Sequence, residues 1–166
     1  MTSDSAGKPE VRARLRGAGI HPTSQRVEVA HSLLSQNAHL SAEDVAREVN
    51  REYPMVSRAT VYNSLALFVT HGLIREVVVE PGKMLYDPNV SHHHHLYYVD
   101  SKELVDVPAD EVQVQALSQL PPGTVLQQVD VVVRVFRQAI PAPQARGDAA
   151  VPLTTKPVAE FVPTGK

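Results

Sequence analysis

A chain of 166 residues, 43% apolar, with 16 Lys and Arg against 18 Asp and Glu, is long enough for one ordinary domain or two small ones and reads as a soluble globular protein. It contains no cysteine, which excludes disulfides, thiol catalysis and thiolate zinc sites, so any metal must be held by N and O ligands. No apolar run approaches the roughly 20 residues of a bilayer span, and MTSDSAGKPE lacks the basic-then-apolar order of a signal peptide, so a cytoplasmic protein with no membrane partner is expected.

Residues 1–10 are expected to form a flexible N-terminus. VRARLRG, residues 11–17, predicts a short helix ending in the Gly17-Ala18-Gly19 region. Pro22-Thr23 opens a second helix with Val27, Ala30 and Leu34 on one face. Lys8, Arg12, Arg14, Arg16 and Arg26 face only Asp4 and Glu10 over this stretch. That basic excess suits phosphates, and a solvated helix face explains it equally well.

Ser41 to Asp44 carries the serine and acidic residue of a capping box, which predicts a helix to about Glu52. Ser57 caps a fourth helix from Arg58 to about Thr70, with Val61, Leu65 and Phe68 as its apolar line and His71-Gly72 as its end. Two short helices joined by a tight turn read as a helix-turn-helix with the second as recognition helix. Leu73–Val79 and Met84–Tyr86 flank Glu80-Pro81-Gly82-Lys83, a type II turn pattern, and so predict a hairpin.

Helix-turn-helix plus hairpin makes a winged helix over residues 11–87, whose usual partner is duplex DNA. Tyr62 and Asn63 turn away from the apolar line, Asn63 towards an adenine edge and Tyr62 towards a thymine methyl or a phosphate. The bland alternative makes Tyr62 a core-edge residue and Asn63 merely solvated. The full set expected on DNA is Arg16, His21, Arg58, Thr60, Tyr62, Asn63 and Lys83.

The most informative stretch is YDPNVSHHHHLYYVDSKELVD, residues 86–106, with four consecutive histidines in a strand-forming context. Alternate side chains share a strand face, so His93 and His95 point one way and His92 and His94 the other. Each pair offers two imidazoles at metal-ligating spacing. Asp87 lies upstream, and Asp106 follows beyond a hairpin at Ser101-Lys102. Two imidazoles and two carboxylates suit Mn(II), Fe(II) or Zn(II) better than Cu(I).

Glu103–Val107 is a second strand, Asp110 to about Leu120 a helix, and Val125–Phe136 the longest strand pattern. These elements of residues 88–138 cannot bury a full core alone, so a second copy of the chain is the natural cover. Residues 139–166, rich in Pro and Ala, read as a disordered tail.

The succession HPTSQRVEV, HLSAEDV, VSRATVYNSL, GLIREV and YDPNVSHHHHLYYVDSKELVDVP strongly resembles the ferric-uptake-regulator (Fur) family of bacterial metal-responsive repressors over roughly residues 11–136. The resemblance implies an α+β protein: an N-terminal winged-helix DNA-binding domain, a hinge near Asp87, and a C-terminal α/β dimerisation domain. It implies a homodimer on palindromic operators that regulates metal uptake or homeostasis genes. The regulatory metal site that it implies is His39, Asp87, His93, His95 and Asp106.

A second site in many relatives uses the other histidine face; here His92 and His94 are in place, with Glu111 or Asp130 needed as substitutes. The family's paired CxxC motifs for structural zinc are absent, with Tyr98 and Ser101 at the first pair's positions. Cysteine-free members with histidine runs resemble the iron-response-regulator (Irr) branch, which makes haem a rival effector. Both hinge-region carboxylates being Asp is similar to the peroxide-sensing members, where bound Fe(II) oxidises a ligand histidine. Nothing suggests an enzyme: there is no HExxH, phosphate-binding glycine loop or evident nucleophile-base pair. A metal-buffering protein would keep the histidines and leave the helix-turn-helix unexplained.

Overall fold

A computed structural model describes residues 7–36, 38–52, 56–113 and 120–137. Four helices come first: α1 (Lys8–Gly17), α2 (Ser24–Leu34), α3 (Ala42–Val49) and α4 (Arg58–Thr70). Five strands follow: β1 (Arg75–Glu80), β2 (Lys83–Asp87), β3 (His93–Tyr98), β4 (Glu103–Pro108) and β5 (Val132–Val135). The architecture is therefore α+β. No helix among the described residues is long and apolar enough to cross a membrane.

Each helix after the first starts at a side-chain cap. Thr23 accepts from the Arg26 amide and Ser57 from the Thr60 amide. At α3 the capping box is complete, since Ser41 Oγ accepts from the Asp44 amide while Asp44 Oδ2 accepts from the Ser41 amide. Such a box satisfies two otherwise unpaired donors. The hydrogen bond from the Ser41 hydroxyl holds the Asp44 carboxyl below its ordinary 3.8.

A lowered folded-state value means that this stabilisation is complete above 3.8 and is lost as the pH falls below it. Asp44→Asn is therefore expected to cost about 0.5–1 kcal/mol at neutral pH, a figure reduced for the side chain's partial exposure. Urea denaturation should show the gap between mutant and wild type narrowing steadily below pH 3.8.

The helices close over a core that includes Val11, Leu15, Val27, Leu33, Val45, Val61, Leu65 and Phe68, all fully buried, and that reaches to Ile74 and Tyr86. Asn50 braces the α3–α4 connection: its amide donates to the Val56 carbonyl and its oxygen accepts from the Val56 amide. β1 and β2 form an antiparallel hairpin, with Gly82 at φ +73 in the turn as a type II turn requires. β4, β3 and β5 form a second sheet, with β3 antiparallel to β4 and parallel to β5.

A smaller core of Val77, Val79, Leu85, Tyr97 and Leu104 joins the hairpin to this sheet. Lys83 Nζ donates to the Tyr97 hydroxyl at 3.0 Å, and Arg134 Nε to the Val79 carbonyl at 2.6 Å. Residues 75–87 therefore contribute to both cores.

Several expectations are corrected. Helix α1 begins at Lys8, inside the stretch expected to be flexible, because Pro9 suits a first helical turn. Helix α3 ends at Val49 rather than near Glu52, where Asn50 turns to its brace. The helix expected from Asp110 is a single 3-10 turn, Ala109–Glu111, and 114–119 of that helix lie outside the described residues, as does the expected tail from 139. The long strand pattern from Val125 pairs only over Val132–Val135, where it reaches β3. Val125 is 91% exposed and has no partner strand among the described residues.

Candidate metal centre

Three pairings bring one set of side chains together. An isolated bridge between Leu40 and Tyr86, with amide-carbonyl bonds of 2.8 and 3.3 Å, ties the α2–α3 connection to β2 and sets His39 beside Asp87. The β3–β4 register places Asp106 directly across from His95. His93, two residues before His95, shares its face.

The result is that one donor atom from each of His39, Asp87, His93, His95 and Asp106 lies within 4.8 Å of all the others. His93 Nε2 is 3.1 Å from His95 Nε2, 3.1 Å from Asp87 Oδ2 and 3.4 Å from Asp106 Oδ1. His39 Nε2 lies 2.8 Å from Asp106 Oδ1 and 3.6 Å from Asp87 Oδ1. Donors about 2.1 Å from one ion sit roughly 3.0–3.4 Å apart when adjacent in octahedral or tetrahedral geometry, so these separations fit the edges of a coordination shell.

Unmet hydrogen-bonding capacity points the same way. His39 Nε2 and Asp106 Oδ1 are buried and face each other at close range, out of line for a hydrogen bond. Orphaned buried polar atoms are costly, and an ion between them would satisfy both.

The electrostatics prepare the donors. Burial lowers the His39 pKa from 6.5 against the upward pull of the Asp87 and Asp106 carboxylates, which keeps the ring neutral and able to ligate. Burial pushes the Asp87 carboxyl up, but hydrogen bonds from His95, Arg75 and the Asn89 amide and the nearby His39 outweigh it and hold it at about 2. His93 Nδ1 is 2.9 Å from the Ser91 carbonyl, which can only accept; a proton on Nδ1 would bond there and leave the Nε2 lone pair to an ion.

Two residues here were missed from sequence. Asn89 donates its amide to Asp87 Oδ1 at 2.7 Å and its side-chain amide to Asp106 Oδ2 at 2.9 Å, which orients both carboxylates. Arg75 donates from Nε to Asp87 Oδ2 at 2.8 Å and reaches His93 Nε2 with Nη2 at 2.6 Å. The Asx-turn pattern of Asp-Pro-Asn was the available signal for Asn89.

The other face is different. His92 is exposed, His94 is buried with Nδ1 unpartnered, and their rings stack edge-on at 5.3 Å. Glu111 and Asp130 are exposed, and Asp130 Oδ1 lies 3.6 Å from Arg75 Nη1, towards the His93 and His95 face. Among the described residues these four are not gathered into a ligand group.

Of the residues expected on DNA, Arg16, His21, Arg58, Tyr62 and Asn63 are exposed, and Thr60 is half-buried with its hydroxyl 2.9 Å from that of Ser57. The Tyr62 hydroxyl donates to Glu43 at 2.5 Å. Lys83 is half-buried, with its ammonium donating to the Tyr97 hydroxyl at 3.0 Å. The basic excess near the N-terminus is partly neutralised, with Lys8 paired to Glu28 and Arg14 to Glu10.

Helices followed by two small sheets, with three imidazoles and two carboxylates gathered where they meet, present a set of N and O donors that could hold a metal ion. The chain belongs to the Ferric uptake regulator family, which it matches over residues 17–133. It is 29% identical over 108 residues to the peroxide-responsive repressor PerR of Staphylococcus aureus (strain Mu50 / ATCC 700699), covering 64% of this chain and 73% of that one. The structure of the ferric uptake regulator from Pseudomonas aeruginosa with manganese superposes with a TM-score of 0.59 at 26% identity, covering 77% of this chain and 98% of that one. That from Francisella tularensis with iron gives a TM-score of 0.61 at 22% identity over 72% and 93%, a likeness of fold alone.

Proposed function

We propose that the chain is a metal-responsive transcriptional repressor of the cytoplasm, binding palindromic operators as a homodimer and regulating metal uptake or homeostasis genes. In this reading the helices with the β1–β2 hairpin are a winged-helix DNA-binding unit, and the second sheet belongs to the dimerisation unit. The observation that carries it is the five-donor cluster, to which both units contribute.

His39, Asp87, His93, His95 and Asp106 would hold Mn(II), Fe(II) or Zn(II). The bound ion supplies positive charge that offsets the two carboxylates. His39 belongs to the connection that leads into α3, whereas His93, His95 and Asp106 ride on the second sheet. Drawing them together fixes the helical unit against that sheet, and with it the direction in which α4 projects. In a dimer this sets the separation of two α4 helices, which must match half-sites about one helical turn apart. An effector shifts such an equilibrium only by binding the DNA-competent arrangement better. The exposed Val125, Leu126 and Phe136 supply apolar surface for a second copy.

Arg16, His21 and Arg58 would meet phosphates, while Tyr62 and Asn63 read base edges. Tyr62→Ala and Asn63→Ala are expected to weaken operator binding by about 10-fold or more and non-specific binding far less. Equal losses on operator and random DNA would remove both from base reading.

The test of the function is fluorescence anisotropy of chelator-stripped protein on labelled DNA from its own promoter region, titrated with Mn(II), with anaerobic Fe(II) and with haem. Metal-dependent, salt-sensitive tightening is the expected result. Metal binding with no DNA binding would leave a metal-buffering protein.

A second reading, peroxide sensing, is favoured by the paired aspartates and by the PerR relative. It requires that peroxide add an oxygen atom to His93, His95 or His39 in the Fe(II)-loaded protein, which peptide mass spectrometry reads. Haem needs an imidazole with an open face, and of the four consecutive histidines only His92 is exposed.

A further inference from the structure

We infer that Arg75 is a tethered cation that competes with the metal ion for its ligands and so sets the concentration at which the centre fills. The inference rests on the metal-centre reading above. Arg75 reaches the cluster because β1 pairs it with Asp87 across the hairpin. Its Nη2 lies 2.6 Å from His93 Nε2 and 3.4 Å from His95 Nε2, while Nε holds Asp87 Oδ2 at 2.8 Å.

A guanidinium is always charged and has only donors to offer. Its Nη2 stands 2.6 Å from His93 Nε2 and also 3.0 Å from His93 Nδ1, so it lies against the ring with its positive charge beside the nitrogen that an ion would use. A metal ion would take the Nε2 lone pair and sit about 2.1 Å from that nitrogen, hard against the guanidinium charge. Both cannot be accommodated, so filling the centre requires Arg75 to leave it.

There is a place for it to go. A cleft of about 600 Å³, lined in part by Arg75, His95, Gln128 and Asp130, opens beside the site. The carboxylate of Asp130, exposed to solvent, already lies 3.6 Å from Arg75 Nη1. The displaced guanidinium would pair there, away from the ion that repels it.

The rival role for Arg75 is to orient Asp87 as an outer-shell partner. The two roles predict opposite signs, since loss of an outer-shell partner weakens metal binding and loss of a competitor strengthens it.

The experiment measures Mn(II) affinity of full-length, chelator-stripped protein by competition with a fluorescent chelator. Arg75→Gln and Arg75→Met are expected to bind Mn(II) about tenfold tighter or more, from lost charge repulsion. Asp130→Asn should bind it more weakly, and that deficit should vanish in the Arg75→Gln background. Unchanged or weaker Mn(II) binding in folded Arg75 variants would overturn the proposal. Should those variants fail to fold, wild-type affinity in Asp130→Asn would overturn it, because that exposed side chain can be changed without disturbing a core. A His93→Ala control with wild-type affinity would instead overturn the metal-centre reading on which the proposal rests.

Discussion

Replacing His93 by alanine should lower Mn(II) affinity by at least about 100-fold and abolish metal-dependent DNA binding, while the helical unit keeps its structure. The size of the effect follows from position. His93 Nε2 stands within 3.4 Å of donors from His95, Asp87 and Asp106, so its loss opens the shell at its centre. The fold should survive because His93 belongs to neither apolar cluster. Asp106→Ala should behave alike, since it removes the oxygen facing His39 across the two units. Calorimetric Mn(II) titration with far-UV circular dichroism checks both. A mutant that binds Mn(II) as the wild type does would refute the ligand set.

The second large effect is expected from Tyr97→Ala, at about 3–5 kcal/mol of stability. Tyr97 is fully buried among Val77, Val79, Leu85 and Leu104, and its hydroxyl accepts from Lys83 and reaches Glu80 at 3.3 Å. Removing the ring empties the centre of the small core that seats β3 against the hairpin. Because β3 carries His93 and His95, Mn(II) affinity should fall with stability although Tyr97 is not one of the five donors. Tyr97→Phe keeps the ring and loses only the hydroxyl contacts, so it should cost about 1 kcal/mol. Urea denaturation of both variants separates packing from polar contact. Equal, small losses would mean that the core does not depend on this ring.

Much of this was legible in the chain. The caps at Thr23, Ser41 and Ser57 and the stop at His71-Gly72 fixed helix starts and ends, because capping is local chemistry. The alternation of the histidine run gave the face shared by His93 and His95, the flanking Asp87 and Asp106 offered two carboxylates beside it, and resemblance supplied His39. Arg75 was not legible for a specific reason. Counting back from the Glu80 to Lys83 pair would oppose Arg75 to Pro88, but a register shift between Val78 and Glu80 moves it to Asp87. The bond from Lys83 to Tyr97 was not legible either, because nothing in the sequence sets the turn lysine beside the hydroxyl of a residue 14 positions on. The strand pattern from Val125 pairs only at its C-terminal end, because periodicity does not say where a partner strand lies.

The central claim is that one ion joins the helical unit to the second sheet and thereby licenses DNA binding. His39→Ala tests it most directly, because it cuts the link to the helical unit while leaving Asp87, His93, His95 and Asp106 to hold the ion. The measurement is DNA anisotropy at a Mn(II) concentration that saturates the variant, with occupancy read in the same sample. The account predicts a filled centre without the gain in operator affinity that the wild type shows. A variant that, once filled, binds operator as tightly as the wild type would contradict it.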